Sequence, residues 1–229
     1  MVIALIVSGG KGVRMGSSVP KQFLELDGLP ILMRTLGKFD EVSEIDEIVL
    51  VVPETYFSYY ESLENKPKKP VTLVAAGLER QHSVRNGLRK VSEIDPDSMV
   101  LIHDGVRPLV TEKTITDGIS YTRQYKAAAC GVHPKDTIKL MSAEGFSENT
   151  LDRDSCLLIH TPQCFFTGNI LDAHEKIHEM GKFVTDDTMV YEEFFGPVYL
   201  YEDDYSNLKI TTSEDLLLAE QILKSRKHS

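Results

Sequence analysis

Val2-Ile3-Ala4-Leu5-Ile6-Val7, followed directly by Ser8-Gly9-Gly10, decides how the rest of this chain is read. An apolar run without alternation describes a strand buried on both faces, and such strands belong to parallel sheets covered by helices. Moving outward, the pattern repeats. Pro30 opens a helical stretch with Leu32, Leu36 and Phe39 at i, i+4 and i+7. Residues 48–52 read as a second buried strand stopped by Pro53, and 71–75 as a third that ends before Gly77. A helix follows in which Val84, Leu88 and Val91 share a face. Residues 99–102 read as a fourth strand leading into His103-Asp104, and 127–132 as a fifth. Strands alternating with helices predict an α/β fold with a doubly wound, mostly parallel sheet. Ligands of such sheets lie beyond the carboxyl ends of the strands. Residues 9–14, 77–83 and 104–107 each follow a predicted strand, so they are expected on one edge.

The 229 residues suit one domain, 1–229, with a sizeable excursion. A chain of this length buries roughly 70–75% of its unfolded surface and needs no staples. Its 25 Lys+Arg against 35 Asp+Glu give a net charge of −10, which speaks against a nucleic-acid polymer as partner. No apolar run approaches the ~20 residues of a membrane helix. The opening run is also too short for a signal peptide and has no basic region before it. Cys130, Cys156 and Cys164 have no C-x-x-C spacing. An odd number of such thiols suits a reducing cytoplasm better than a disulfide framework or a zinc site. The expectation is a cytoplasmic protein without membrane contact.

Residues 134–165 break the rhythm. They hold Lys135-Asp136-Thr137, a turn-like stretch at 142–149, Asp152-Arg153 and Thr161-Pro162-Gln163. A polar stretch this long is not plain loop in a compact domain, and it reads as a protruding arm with a functional or interface role. Ile170, Ala173, His174 and Ile177 then mark a helix, and a strand is expected near 198–201. The last helix is capped by Thr211 or Thr212.

The strongest chemical signal is Ser8-Gly9-Gly10-Lys11-Gly12-Val13-Arg14-Met15, with Pro20-Lys21-Gln22 close behind. Glycines directly after a strand let backbone N–H groups approach phosphate oxygens without Cβ interference. Arg14 and Lys21 add positive charge in the same place. The P-loop pattern fails because no Gly-Lys-Ser/Thr closes the run. The dinucleotide fingerprint fails because no acidic residue ends the second strand, which disfavours a nicotinamide-dependent oxidoreductase. Asp104, at the end of the fourth strand, has several readings: a magnesium ligand, directly or through water, a partner for a substrate hydroxyl, or a cap for its own turn. Asp186-Asp187 and Asp203-Asp204 read as solvated acidic surface or helix N-termini. His103, His160 and His174 read as structural, packed histidines. No Ser/His/Asp or Cys/His arrangement stands out.

G-G-x-G-x-R-M…P-K-Q resembles the nucleotide-binding loop of sugar- and polyol-phosphate nucleotidyltransferases, and above all of the cytidylyltransferases that act on 2-C-methyl-D-erythritol 4-phosphate. Ribitol 5-phosphate cytidylyltransferases are nearly as similar. The resemblance continues at Gly77-Leu78-Glu79-Arg80-Gln81-His82-Ser83, His103-Asp104-Gly105-Val106-Arg107-Pro108, Asp136-Thr137-Ile138-Lys139, Asp152-Arg153, Thr161-Pro162-Gln163, Thr185-Asp186 and Asn207-Leu208-Lys209-Ile210-Thr211. It implies a Rossmann-like nucleotidyltransferase with a dimerisation arm. The implied reaction is attack by a phosphomonoester oxygen on the α-phosphorus of CTP, with Mg²⁺ or another divalent cation as cofactor. It implies Arg14 and Lys21 as catalytic residues, and Ser8, Gly9, Gly10, Gly12, Gly77, Ser83 and Asp104 as nucleotide-binding, with Asp104 also at the metal. Arg107, Thr137, Arg153 and Lys209 are implied as the acceptor pocket. Thr137 would serve the neighbouring subunit of a homodimer. Asp136-Thr137-Ile138-Lys139 and Leu151-Asp152-Arg153 favour methylerythritol phosphate as acceptor, whereas Val106 beside Arg107 and the run from Asn207 to Thr212 lean toward ribitol phosphate.

Overall fold

The computed structural model describes residues 1–10 and 20–227. The chain runs through β1 (Val2–Val7), a 3-10 turn at Lys21–Phe23, the short strands β2 (Glu25–Leu26) and β3 (Leu29–Pro30), α1 (Ile31–Asp40) and β4 (Glu47–Val52). It continues through α2 (Phe57–Ser62), β5 (Val71–Ala75), α3 (Arg80–Ile94), β6 (Met99–Asp104), α4 (Glu112–Tyr125) and β7 (Ala127–Val132). Next come β8 (Lys139–Met141), β9 (Ser147–Thr150), β10 (Leu158–Phe166), α5 (Thr167–Glu179), α6 (Asp187–Phe195), β11 (Tyr199–Glu202) and α7 (Ser213–Lys227).

The central sheet has seven strands in the order β11-β7-β10-β6-β1-β4-β5. Every neighbouring pair is parallel except the two made by β10. The unbroken apolar run of β1 follows from its central place between β4 and β6. Val2, Ala4 and Ile6 pack on one face with Leu32, Leu36 and Phe39 of α1 and Ile115 and Ile119 of α4. Ile3, Leu5 and Val7 pack on the other with Val84, Leu88 and Val91 of α3 and Ile170, Ala173 and Ile177 of α5. Each such fully buried aliphatic side chain contributes on the order of 1.5–3 kcal/mol. A third cluster, around Leu26, Val106, Leu109, Ile210 and Ala219, seats α7 beside the loop after β6.

Three expectations change. The arm is shorter than 134–165, because residues 158–166 form β10, inserted between β6 and β7 with Gln163 opposite both Ile102 and Ala129. Its polar Thr161 and Gln163 masked a strand that is nonetheless buried at both positions. The turn-like 142–149 is a hairpin in which β8 pairs antiparallel with β9. Asp203 is not solvated surface: its side chain is buried and accepts from Thr114 Oγ1 at 2.8 Å and Asn207 Nδ2 at 2.7 Å, with His160 Nδ1 at 2.9 Å.

Candidate active site

β1 ends between β4 and β6, and the turns after β1, β5 and β6 leave no room for a Cβ at Gly9, Gly77 and Gly105. Gly105 N donates to Val7 O at 2.9 Å and Ser8 N donates to Val51 O at 2.8 Å. A Cβ on Gly9 would come 2.6 Å from Ala76 Cβ and 3.1 Å from Ser83 Oγ, and one on Gly77 would come 2.4 Å from His82 Cβ. Ser83 Oγ accepts from Gly77 N at 3.0 Å and donates to Glu79 O at 3.1 Å, which closes the turn that starts α3. Ser8 is buried, and its Oγ has no partner among the described residues. Gly10 is exposed with open space around it. Gly12 and Arg14 lie outside the described residues.

Asp104, the last residue of β6, sits among three cations. Arg80 Nε lies 3.3 Å from Oδ1, while Lys209 Nζ at 3.0 Å and Arg107 Nε at 3.4 Å face Oδ2. Burial opposes ionisation of this carboxyl, but Arg80, then Lys209 and Arg107, outweigh it and hold its pKa well below the usual carboxylate range. The backbone N–H of Asp104 donates to Thr161 Oγ1 at 3.1 Å, so β10 supports it from behind. Arg107 also donates to Asn207 O at 2.7 Å, and Lys21 Nζ donates to Ile210 O at 3.3 Å. The segment from Asn207 to Ile210 thus ties Lys21, Arg107 and Lys209 to one place. Gln22 is buried and donates to Ser8 O at 3.0 Å, which draws the Pro20-Lys21-Gln22 motif back onto the first turn.

Thr137 and Arg153 are exposed on the arm. Arg153 donates to Lys135 O at 3.1 Å, an arrangement internal to the arm, and neither residue joins the Asp104 cluster within this chain. Sequence reasoning gave no role to Arg80, although it stands in the quoted 77–83 motif at the first position of α3. The signal was its place, since a cation beginning a helix after a strand-end turn faces the strand-end Asp104. Asp187, read with Asp186 as solvated surface or a helix N-terminus, is the first residue of α6 but is buried rather than solvated and receives Arg80 NH2 at 2.9 Å. Asp186 does cap α6, accepting from Met189 N at 3.1 Å. His103 is buried between Thr161 Oγ1 at 3.0 Å and Arg107 O at 3.3 Å. Burial pushes its imidazole down to about 4, so it is neutral at pH 7 and structural.

As a metal site the cluster offers one carboxylate whose oxygens already face cations, and the described residues hold no group of three metal-ligating side chains. That donor set would suit a divalent ion held mainly by other ligands, with Asp104 as the one carboxylate near it. The chemistry available is anion binding and charge neutralisation beside a backbone-lined turn.

Fold and site together define a nucleotidyltransferase. Residues 2–225 match the 2-C-methyl-D-erythritol 4-phosphate cytidylyltransferase family, and the chain belongs to that family. A 2-C-methyl-D-erythritol 4-phosphate cytidylyltransferase of Clostridium botulinum (strain Okra / Type B1) is 52% identical over 222 residues, covering 96% of each chain. One from Clostridium perfringens (strain SM101 / Type A) is 47% identical over 226 residues, covering 97% of this chain and 99% of its own. The crystal structure of 4-diphosphocytidyl-2C-methyl-D-erythritol synthase from Anaerococcus prevotii superposes with a TM-score of 0.87 at 33% identity, covering 97% of this chain and 96% of that one.

Proposed function

We propose that this chain transfers the cytidylyl group of CTP to 2-C-methyl-D-erythritol 4-phosphate, giving 4-diphosphocytidyl-2-C-methyl-D-erythritol and pyrophosphate, a step toward isoprenoid precursors. The observation that carries the reading is the convergence of Asp104, Arg107 and Lys209 on the sheet edge lined by the Gly9 and Gly77 turns. An acceptor phosphate oxygen forms a bond to the α-phosphorus while the bond to the oxygen bridging the β-phosphorus breaks, and pyrophosphate leaves with that electron pair. A phosphomonoester has a second pKa near about 6, so at pH 7 the nucleophile is largely dianionic and needs no general base. The neutral, buried His103 fits a site that asks for none. Positioning and charge stabilisation then supply the catalysis.

Arg107 and Lys209 would grip the acceptor phosphate, the guanidinium taking two oxygens at once. Lys21 and Arg14 would neutralise charge on the α-phosphate and the departing pyrophosphate. Ser8, Gly9, Gly10 and Gly12 would bring backbone N–H groups to the triphosphate, and Gly77 and Ser83 would frame the base. A divalent cation such as Mg²⁺ would supply further charge neutralisation on the phosphates, with Asp104 behind it through water. Thr137 and Arg153 would complete the acceptor pocket of a second copy, which makes the arm a homodimer contact; their exposure in one chain supports this. Small phosphorylated substrates and three free thiols support a cytoplasmic location.

Pyrophosphate release from CTP and Mg²⁺, measured with 2-C-methyl-D-erythritol 4-phosphate and with ribitol 5-phosphate, tests the reading. Release with the first acceptor is expected. Release with ribitol 5-phosphate alone would reassign the acceptor, and the absence of release with either acceptor would overturn the enzyme reading.

A further inference from the structure

From Asp104 a line of charged groups runs through Arg80 to the buried Asp187 and His174. Arg80 places Nε 3.3 Å from Asp104 Oδ1 and NH2 2.9 Å from Asp187 Oδ2. Asp187 is 1% exposed, and its other oxygen lies 3.1 Å from Nε2 of His174, which is 2% exposed. The backbone N–H of Asp187 donates to Gln163 Oε1 at 2.9 Å, and Gln163 Nε2 donates to Asp186 Oδ2 at 3.1 Å. The same strand that presents Gln163 presents Thr161 to the backbone of Asp104. Both carboxylates that Arg80 joins are therefore registered by β10, and α5 and α6 brace the outer one.

We propose that Arg80 is a positioning residue, held by Asp187 and His174, that fixes Asp104 so that its Oδ2 faces the acceptor-side cations Arg107 and Lys209. The physical argument is one of geometry and charge. A planar guanidinium spanning two carboxylates locks the rotation of both. With Oδ1 occupied, Asp104 shares its charge between two sides and keeps a looser hold on Lys209. That ammonium is 39% exposed on its side chain and is the cation best placed to turn to an incoming phosphate. Without Arg80, Asp104 would turn or grip Lys209 alone, and the phosphate pocket would lose its arrangement. Asp187 and His174 are too deeply buried to touch substrate, and the direct side-chain link from them to Asp104 is Arg80.

This inference rests on the acceptor reading of Arg107 and Lys209, and the test separates the two. Arg80→Gln leaves the buried Asp187 carboxylate without its guanidinium, and Asp187→Asn takes from Arg80 one of its two carboxylates, so each single change destabilises the fold. The double variant Arg80→Gln/Asp187→Asn removes both charges and should recover most of the lost Tm. Positioning predicts that turnover at low acceptor concentration stays about 10-fold or more below wild type in the double variant even as Tm returns. A merely structural pair predicts that turnover returns with Tm, and that outcome overturns the proposal. A second measurement needs no turnover: calorimetric titration with inorganic phosphate, with Lys209→Ala as the reference for loss of the pocket. The double variant should lose at least about fivefold in phosphate affinity, and unchanged affinity would refute positioning whatever the activity. If wild type binds phosphate through Lys209 yet releases no pyrophosphate from CTP and acceptor, the substrate reading fails while the positioning of Lys209 stands.

Discussion

Lys209 Nζ lies 3.0 Å from Asp104 Oδ2, joining the loop before α7 to the end of β6. The ammonium is the more exposed partner, so an anion arriving at this edge meets a cation that can exchange its carboxylate for phosphate. A charge-assisted contact of this kind is worth about 1.5–3 kcal/mol. Lys209→Ala should therefore lower kcat/KM for the acceptor by roughly 10–100-fold and leave the KM for CTP within about twofold. Steady-state pyrophosphate release with each substrate varied in turn checks this, and a change confined to CTP would place Lys209 on the other substrate.

Lys21 is tethered near the same segment through Ile210 O at 3.3 Å. If it neutralises charge that develops only in the transition state, Lys21→Ala should cost about 10²–10³ in kcat. A hydrogen bond to a backbone carbonyl is worth about 0.5–1.5 kcal/mol, so turnover should fall much more than Tm. Turnover close to wild type would remove Lys21 from the catalytic group.

The turn after β5 leaves no space for a methyl group at Gly77, where a Cβ would meet His82 Cβ at 2.4 Å and His82 C at 2.9 Å. Gly77→Ala must push the start of α3 outward and pull Ser83 away from the Gly77 N–H. The expected result is a KM for CTP raised about 10-fold or more with a smaller loss of stability. Equilibrium CTP binding and thermal unfolding on the same sample give the comparison, and CTP affinity equal to wild type would show that this turn does not shape the nucleotide site.

Asp203 gathers the side chains of Thr114, Asn207 and His160 through Thr114 Oγ1, Asn207 Nδ2 and the His160 ring. Asp203→Ala would take this shared acceptor from all three, at a cost of about 2–4 kcal/mol. Asn207 positions Arg107 through its carbonyl, so acceptor turnover should fall as well. Urea unfolding reads the first effect, and a midpoint shift under a few tenths molar would contradict it.

Acid should unfold the protein in two stages. Burial pushes His103 down to about 4 from the ordinary 6.5, so its contribution is full above about 6.5 and is lost as pH falls toward 4. At the acid end this amounts to about 3 kcal/mol. In Asp104 and Asp187 burial raises the pKa, but Arg80 and the neighbouring donors overcome it and depress both. Their contribution is therefore present above about 3.8 and disappears only below it. Denaturant midpoints measured from pH 8 to pH 3 should decline first near pH 6, and His103→Gln should flatten that first decline.

Much of this was legible in the chain itself. The run Val2–Val7 is apolar at every position because α1 and α4 cover one face and α3 and α5 the other, and that double burial is written directly into composition. The glycines at 9 and 77 were legible for a similar reason, since close approach of backbone excludes every other side chain. Local pattern could not reach β10. Its Thr161 and Gln163 are polar although buried, because they spend their side chains on the backbone of Asp104 and the N-terminus of α6. The same holds for Asp187 and Asp203, which look like solvent-facing acids until distant donors are folded around them. Sequence by itself determined the alternating strands and helices and the glycine turns, because each depends on short-range sterics or on burial periodicity. Only tertiary structure decided which cation meets which carboxylate. Those pairings are made across β6, β10, α3 and the loop before α7, and no spacing along the chain encodes a contact whose partners are brought together only when the sheet closes around them.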